Sequence, residues 1–317
     1  ALYYDISDFS VIDYVGGTHD VAGRNLRLIG DPVARYREDP VRMLRAVRFA
    51  AKLGFRIDPA TAAPMHELGA ELDHIPGARL FEEVLKLFLS GHAQATMTTL
   101  LEYDLFRHLF PQAGAAIAAE PQGLARRMID GVLAATDARL AEHKPVNPAF
   151  LFAAFLWAPM RELADDFIAG GLPELEAIQR AADAVISQEI GRVTVPRRIT
   201  HVTREIWAMQ PRFERRSGNR AERLMALPKF RAAYDFLVLR AQSGEAVGEL
   251  ADWWTAFQAA PPGEQQSMQS AVASQGRGAG GGGGDGAGTR PGGRRRRGGR
   301  GRRGGRGRSE SGAPPAP

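Results

Sequence analysis

Over most of the chain, apolar residues recur three or four positions apart, which is the spacing of one face of an α-helix. One such helix is predicted to begin with Asp39 as N-cap and Pro40 at its first position, and to end at Gly54. Its apolar face comprises Met43, Leu44, Val47, Ala50 and Ala51. Further helices are predicted near 59–70, 78–91, 93–102, 123–138, 147–157, 174–189, 200–209, 219–226, 228–242 and 246–257. The pattern therefore predicts a mainly α fold.

The first residues follow a different pattern. Leu2–Ile6 and Ser10–Val15 are rich in β-branched and aromatic residues and predict two short strands, with a turn at Ser7-Asp8. Gly16-Gly17 is predicted to end the second strand. Because an isolated two-stranded hairpin is only marginally stable, we expect this hairpin to be the edge of a sheet whose other strands are not in the chain.

Composition excludes several kinds of chemistry. The 317 residues include no cysteine, so disulfides, thiol nucleophiles and cysteine-based metal sites are excluded. The longest apolar run, Ala149–Ala158, is much shorter than the about 20 residues of a membrane span. The histidines are scattered, and the sequence contains neither His-Glu-x-x-His nor Asp-x-Asp. We therefore predict no metal site and no membrane association.

The formal net charge of +5 is unevenly distributed. From Gly276 to Pro317 there are eleven arginines against Asp285 and Glu310, and 18 of the 36 glycines. This segment has almost no apolar area to bury, so a disordered tail is predicted. Arginine suits phosphate and glycine lets the backbone follow an irregular strand, which favours RNA binding without sequence preference. The alternative is a solubilising linker that has no specific partner.

Two features of the helix after Asp39 suggest binding chemistry. Its polar face is basic, which indicates either a solvated surface or an RNA contact; the residues are Arg42, Arg45, Arg48 and Lys52. At its start, Asp39 can accept from an exocyclic amino group of a base, and Arg42 can donate to a ring nitrogen. Glu38 is expected to orient Arg42. The alternative is that Asp39 only caps the helix and Arg42 is only a surface charge.

The stretch Arg27–Phe55 closely resembles the neck of the bacterial poly(A) polymerase and CCA-adding tRNA nucleotidyltransferase family. In that family a Glu-Asp-x-x-Arg motif opens a helix and reads the incoming nucleotide, and it matches Glu38, Asp39 and Arg42. The family's next motif matches Arg79, Glu83 and Lys86, which we expect to pair along a helix. The opening Leu-Tyr-Tyr and the Asp13-Tyr-Val-Gly-Gly segment look like the final hairpin of the family's catalytic head.

Within this family, three features favour the poly(A) polymerases. Asn147–Ala154 resembles their body domain, as does Pro228–Asp235 followed by Trp253-Trp254. An arginine-rich C-terminus is also typical of them. The two tryptophans are expected to pack in the core rather than stack on bases.

The resemblance implies a division of the chain into four parts. These are the end of the nucleotidyltransferase head (1–30), a helical neck that binds nucleotide and RNA (31–95), a helical body (96–258) and a disordered Arg/Gly-rich tail (259–317). The nucleotide-binding residues would be Glu38, Asp39 and Arg42. The RNA-binding residues would be Arg45, Arg48, Lys52, Arg294, Arg295, Arg296 and Arg297.

The implied activity is transfer of AMP from ATP to RNA 3′ ends, which promotes RNA turnover. It would need Mg²⁺ and ATP, take place in the cytoplasm, and involve RNA and an RNA helicase of the decay machinery as partners. The family's metal-binding Asp-x-Asp would precede Ala1, so the chain resembles a protein cut at the end of its catalytic domain. We therefore expect no catalytic residue in this chain and no activity from it alone.

Two alternatives remain open. The first is a CCA-adding tRNA nucleotidyltransferase, which incorporation of cytidylate by the intact protein would reveal. The second belongs to another class, a non-catalytic RNA-binding protein built from helices and an Arg/Gly tail. It would be favoured if the reading frame began near Ala1.

Overall fold

A computed structural model describes residues 2–278, with side chains to residue 274. The chain is mainly α-helical, as predicted. It begins with β1 (Leu2–Tyr4) and β2 (Val11–Asp13), an antiparallel pair in which Tyr3 lies opposite Ile12. The predicted hairpin is confirmed. Most of its apolar side chains are exposed, and Ile6, Phe9 and Tyr14 each have 75% or more of their surface accessible to solvent.

The segment that follows holds short elements which orient the helix predicted after Asp39. They are α1 (Gly17–Ala22), β3 (Asn25–Leu26), α2 (Pro32–Glu38), α3 (Val41–Leu53) and β4 (Arg56–Ile57), with β3 and β4 paired in parallel. The predicted end of α3 at Gly54 is confirmed, because this glycine takes the left-handed conformation with φ 64°. The start differs from the prediction. Asp39 ends α2, and α3 begins one residue later than expected, at Val41.

The rest of the described chain is helical. Its elements are α4 (Pro59–Ala62), α5 (Met65–Leu68), a 3₁₀ helix (Gly69–His74), α6 (Gly77–Phe88), α7 (Ala93–Glu102), α8 (Phe106–Leu109), α9 (Pro111–Ala119), α10 (Leu124–Ala141), α11 (Pro148–Phe155), α12 (Trp157–Ala169), α13 (Glu174–Arg192), α14 (Arg197–Met209), a second 3₁₀ helix (Gln210–Arg212), α15 (Arg220–Met225), α16 (Phe230–Gln242), α17 (Gly248–Ala259) and α18 (Pro262–Gly278).

Helix α18 corrects one predicted boundary. Disorder was expected from residue 259, whereas the structure has a helix over Pro262–Gly278. Polar side chains contribute to the packing of this helix alongside the partly buried Met268, so its apolar periodicity is weak. Gln265 donates from Nε2 to the Phe257 carbonyl at 2.9 Å, and Gln269 is buried. The predicted RNA contacts at Arg294, Arg295, Arg296 and Arg297 lie outside the described residues.

Two apolar clusters hold the helices together. The first cluster runs from Tyr36 to Leu239 and crosses the predicted boundary between residues 95 and 96. The second cluster joins α14 to α17, and its members include Met209, Phe213, Phe230, Trp254 and Phe257. Trp254 is fully buried and donates to the Phe213 carbonyl at 3.0 Å, which confirms its predicted packing role. Helices α14 and α16 contribute residues to both clusters.

A buried polar junction lies between the clusters. Arg240 of α16 donates from Nη2 to Glu245 at 2.6 Å and from Nη1 to the side chain of Gln210 at 3.0 Å. Its guanidinium carbon lies 4.7 Å from the ring centre of Trp157, whose indole N–H also donates to Glu245. Each charge is thus paired and hydrogen-bonded, as buried charges must be to remain ionised.

Candidate functional site

The predicted nucleotide-binding residues lie at the junction of α2 and α3. Asp31 caps α2 by accepting from the Ala34 amide at 2.8 Å, and Pro32 occupies the first helical position. The chain then turns at Asp39, whose Oδ1 accepts weakly from the amide of Val41 at 3.3 Å. The apolar face of α3 is buried from Val41 onward, so the opposite face is the one directed toward solvent.

The structure brings Glu38 and Arg42 together, one turn apart. Arg42 donates from Nη1 to Glu38 Oε2 at 3.1 Å, and the same oxygen accepts from Arg35 at 2.6 Å. Arg42 also donates to the Arg35 carbonyl at 3.3 Å. These contacts constrain the guanidinium of Arg42 while a quarter of its side-chain surface remains exposed. The structure thus places Glu38 in hydrogen-bond contact with Arg42, while the role of this contact in nucleotide binding stays a prediction.

Asp39 is held by a residue far away in the sequence. Arg79, in the first turn of α6, donates from Nη2 to Asp39 Oδ2 at 2.9 Å. This contact corrects the expectation that Arg79 pairs along its own helix, which holds only for Glu83 and Lys86 at 2.9 Å. The sequence could not separate the two cases because Glu83 lies within helical reach of Arg79. Asp39 is thereby fixed with 18% of its side chain exposed.

Glu83 also contributes a contact between helices. It is almost fully buried, and its Oε1 lies 3.9 Å from Arg45 Nη2 on α3. Two residues of α6, Arg79 and Glu83, therefore pair with residues of α2–α3 on either side of Arg42 in the sequence. The arrangement holds the start of α3 against α6.

The basic residues of α3 have different environments. Arg45 is paired with Glu83, whereas Lys52 is exposed and forms no ion pair within residues 2–274. The guanidinium carbon of Arg48 lies 4.7 Å from the ring centre of Phe49, which is itself 40% exposed. A surface that combines cations with an exposed aromatic ring suits single-stranded nucleic acid, whose bases stack and whose phosphates are anionic. The sequence search overlooked Phe49.

The described part of the chain contains neither a metal-binding cluster nor a membrane-spanning helix. Between residues 2 and 278, no group of three or more His, Asp or Glu side chains is placed to hold a metal ion. The described residues therefore do not fit a magnesium site. No helix in that range is long and apolar enough to cross a bilayer.

Sequence comparisons identify relatives over most of the chain. A family model described as "Polymerase A arginine-rich C-terminus" matches residues 170–303, and one described as "Probable RNA and SrmB- binding site of polymerase A" matches residues 54–117. Poly(A) polymerase I of Salmonella typhi is 48% identical over 271 residues, which cover 84% of this chain. Poly(A) polymerase I of Haemophilus influenzae is 44% identical over 81% of it. The chain spans 58% of the length of each of these two relatives.

Similarity to CCA-adding enzymes is more limited. The enzyme of Leuconostoc citreum is 37% identical over 102 residues, which cover 32% of this chain and 25% of that protein. A solved CCA-adding enzyme complexed with CTP shares the fold at a TM-score of 0.53 and 18% identity, over 80% of this chain and 55% of that one. A tRNA-processing enzyme in an apo form has a TM-score of 0.50 and 15% identity, over 84% and 70% of the two chains. The two polymerase A models, together with the poly(A) polymerase I relatives, show that the chain belongs to the family of bacterial poly(A) polymerases and CCA-adding tRNA nucleotidyltransferases.

Proposed function

We propose that the protein is a polynucleotide adenylyltransferase, which adds AMP from ATP to RNA 3′ ends and so promotes RNA turnover. One contrast supports adenylate over CCA addition. Identity to poly(A) polymerase I is 48% over 84% of the chain, whereas identity to a CCA-adding enzyme is 37% over only 32% of it. In this proposal the described residues select the nucleotide and hold the RNA. The described residues do not fit a metal site, so none of them has a role in a metal-dependent step.

The nucleotide-selecting group is Asp39 with Arg42. The carboxylate of Asp39 accepts from the amino group of adenine, and Arg42 donates to a ring nitrogen. Guanine presents a carbonyl oxygen where adenine presents the amino group, so the same carboxylate repels it. Arg79 and Glu38 support the proposal because each binds one member of the pair and limits its rotation. Glu38 contacts Arg42 rather than the base.

The RNA-holding surfaces are the basic face of α3 and the Arg/Gly tail. On α3 the contacts come from Arg45, Arg48 and Lys52, with Phe49 as a stacking surface. In the tail they come from the run Arg294–Arg297 and the arginines around it. The division into head end, neck, body and tail, the Mg²⁺ requirement, the cytoplasmic location and the helicase partner stay predictions from the resemblance.

A chimera tests nucleotide selection. Residues 1–278 replace the matching part of Salmonella typhi poly(A) polymerase I, and extension of an oligo(A) primer is followed with ATP, GTP or CTP. We expect extension with ATP. Asp39→Ala and Arg42→Ala should each lower it about tenfold or more, because a lost hydrogen bond to a charged group costs about 1.5–3 kcal/mol. Both should also narrow the preference for ATP over GTP.

The matched control is Arg180→Ala, which removes an arginine paired one turn away with Glu176 at 2.8 Å. It should leave rate and selectivity unchanged. Preferential incorporation of cytidylate by the chimera would assign the chain to CCA addition instead. If Asp39→Ala and Arg42→Ala both kept the wild-type rate and selectivity, Asp39 and Arg42 would have only a structural role.

Deletion of residues 279–317 tests the tail. Single-stranded RNA gives a log–log salt slope of about −0.7 per phosphate contacted, and we expect roughly four to seven contacts from the tail. The deletion should therefore flatten the slope by about 3–5 units and leave the helical circular dichroism signal unchanged. Fluorescence anisotropy with labelled oligo(A) at several salt concentrations measures this. Equal slopes for the two chains would show that the tail is an inert linker.

A further inference from the structure

A second basic site lies far along the chain from α3. A pocket of about 700 Å³ opens where the start of α13 meets the second 3₁₀ helix and α15. Its apolar surface is formed by Pro173, Leu175, Pro211, Leu224 and Leu227. Four arginines also line the pocket, namely Arg212, Arg215, Arg220 and Arg223. We call this site the arginine pocket.

The four arginines have no carboxylate partners. All are exposed, and none of their side chains forms an ion pair or hydrogen bond within residues 2–274. Arginines on neighbouring helices are paired, such as Arg180 of α13 with Glu176 and Arg204 of α14 with Asp183, both at 2.8 Å. Positive charge is also concentrated in this part of the sequence. Residues 211–224 contain five arginines and only two glutamates.

The acidic side chains nearby do not neutralise the pocket. Glu174 is the acidic residue among those lining it, and its Oε1 lies 3.6 Å from Arg161 Nη1. Glu214 and Glu222 are next to the arginines in sequence but do not line the pocket. The fifth arginine of the segment, Arg216, lies over the ring of Trp253 with its guanidinium carbon 5.3 Å from the ring centre. The pocket therefore has an excess of positive charge around an apolar floor.

These properties fit a nucleotide chain. Guanidinium groups bind phosphate through paired N–H donors, and an apolar floor receives the faces of bases. The volume is within the range of pockets that enclose a small ligand. Four exposed guanidinium groups that line one pocket match the successive phosphates of a strand better than the single phosphate of a mononucleotide.

We propose that the arginine pocket binds single-stranded RNA, with backbone phosphates on Arg212, Arg215, Arg220 and Arg223 and a base against the leucine and proline floor. The inference rests on the proposed function, because it assumes RNA as the substrate. It adds a fixed RNA contact in the body to the contacts of α3 and the tail. RNA held there would engage the protein away from the nucleotide-selecting residues.

The first test compares two double variants of the complete 317-residue chain. Arg220→Gln with Arg223→Gln removes two pocket charges, and Arg180→Gln with Arg204→Gln removes two paired charges on α13 and α14 as the matched control. Oligo(A) binding is measured by anisotropy at several salt concentrations. The pocket variant should flatten the log–log slope by about 1.4 units, at about 0.7 per phosphate, and the control by less than half as much.

The second test needs no variant. The parent chain is treated with phenylglyoxal, which modifies exposed arginines, and Arg220 and Arg223 are quantified by peptide mass spectrometry. Oligo(A) should protect both severalfold, while AMP at the same nucleotide concentration should protect them less. Protection by AMP but not by oligo(A) would overturn the assignment to RNA. If the pocket variant loses its helical circular dichroism signal, its salt slope cannot be interpreted. The protection measurement on the parent chain then decides whether the pocket binds RNA.

The outcomes separate the two proposals. Equal salt slopes for the pocket and control variants, with no protection of Arg220 and Arg223, would overturn the pocket while oligo(A) extension by the chimera still stood. Protection of both arginines with no ATP-dependent extension by the chimera would overturn adenylyl transfer and leave the pocket as an RNA site.

Discussion

The junction of α2 and α3 and the arginine pocket both present arginine, but in opposite settings. At the junction Arg42 shares Glu38 with Arg35, and Arg79 holds Asp39 at 2.9 Å. In the pocket, Arg212, Arg215, Arg220 and Arg223 face solvent and pair with no carboxylate of the described chain. The first arrangement fixes donors and acceptors in place, and the second leaves charge available.

This difference in pairing determines what each site can recognise. A hydrogen-bonded set of fixed groups can distinguish an amino group from a carbonyl, because the wrong base leaves a fixed group unpaired. Mobile, unpaired guanidinium groups attract phosphate of any sequence and respond strongly to salt. We infer that base selection belongs to the junction and that sequence-independent holding of RNA belongs to the pocket.

We expect the largest loss of stability when the most buried of the paired arginines, Arg240, is replaced. Arg240→Met leaves Glu245 without its cation, and removing one partner of a buried ion pair typically costs about 3–5 kcal/mol of unfolding free energy. Urea denaturation followed by circular dichroism measures the loss. Arg240→Met with Glu245→Gln should recover much of it, because no uncompensated charge remains. A loss below about 1 kcal/mol for the single variant would show that pairing matters little even when buried.

Glu189 contrasts with both sites, because its carboxyl group is buried and lacks a hydrogen-bond partner among the described residues. Both its carboxylate oxygens are buried without one among the described residues, and burial raises the pKa of Glu189 from 4.5 to about 8, against the opposing effect of Arg192. The folded state then keeps a proton that the unfolded chain has already released. The free energy of unfolding should therefore fall as pH rises from about 4.5 to about 8.

The measurement is urea denaturation between pH 5 and pH 8, expressed as free energy. Glu189→Gln removes the titrating group. The stability of this variant should therefore change less between pH 5 and pH 8 than the stability of the parent. Across this window the parent should lose a few kcal/mol of unfolding free energy relative to the variant, since each unit of a pKa shift corresponds to about 1.4 kcal/mol. Parallel pH profiles for the two proteins would show that Glu189 does not titrate there.

Arg79→Gln tests whether a fixed carboxylate is what selects the base. Asp39 stays in place but loses the partner that holds its Oδ2. The preference for ATP over GTP in the chimera should fall by about 1 kcal/mol, roughly fivefold, which is less than with Asp39→Ala. Initial rates with each nucleotide, measured separately, give the ratio. An unchanged ratio would show that Asp39 needs no support from α6.

The smallest expected effect concerns an exposed pair. Arg180→Gln removes the contact with Glu176 one helical turn away, and both side chains are largely exposed. Pairs of this kind contribute about 0.3–0.5 kcal/mol to stability. Urea denaturation should detect little change, and a loss above 1 kcal/mol would remove the basis for using Arg180 as a control.

Local signals in the sequence predicted many elements well. Helix α7 covers Ala93–Glu102, as the apolar spacing indicates, and Gly54 ends α3. Helix α2 was missed even though Asp31-Pro32 is a recognisable start signal. Helix α12 was missed because Pro159 suggests a helix end; it lies instead in the first turn, where its missing N–H costs no hydrogen bond.

The site was less predictable because its contacts join distant segments. Glu38 and Arg42 are one turn apart, so their contact follows from helix geometry. The pair of Asp39 and Arg79 spans 40 positions and depends on how α6 packs against α3. The arginine pocket likewise joins Pro173 and Leu175 to residues from 211 onward. No local periodicity encodes either contact.

The junction at Arg240 also bears on how the molecule comes apart. Trp157 belongs to the first cluster. Gln210 lies at the end of α14 and Arg240 lies on α16, and both helices extend into the second cluster. Separating the clusters would expose a paired charge and break several hydrogen bonds at once, so neither half gains by opening first. The two clusters therefore behave as one cooperative unit, and amide protons in α11 and α17 should exchange with solvent through the same global opening.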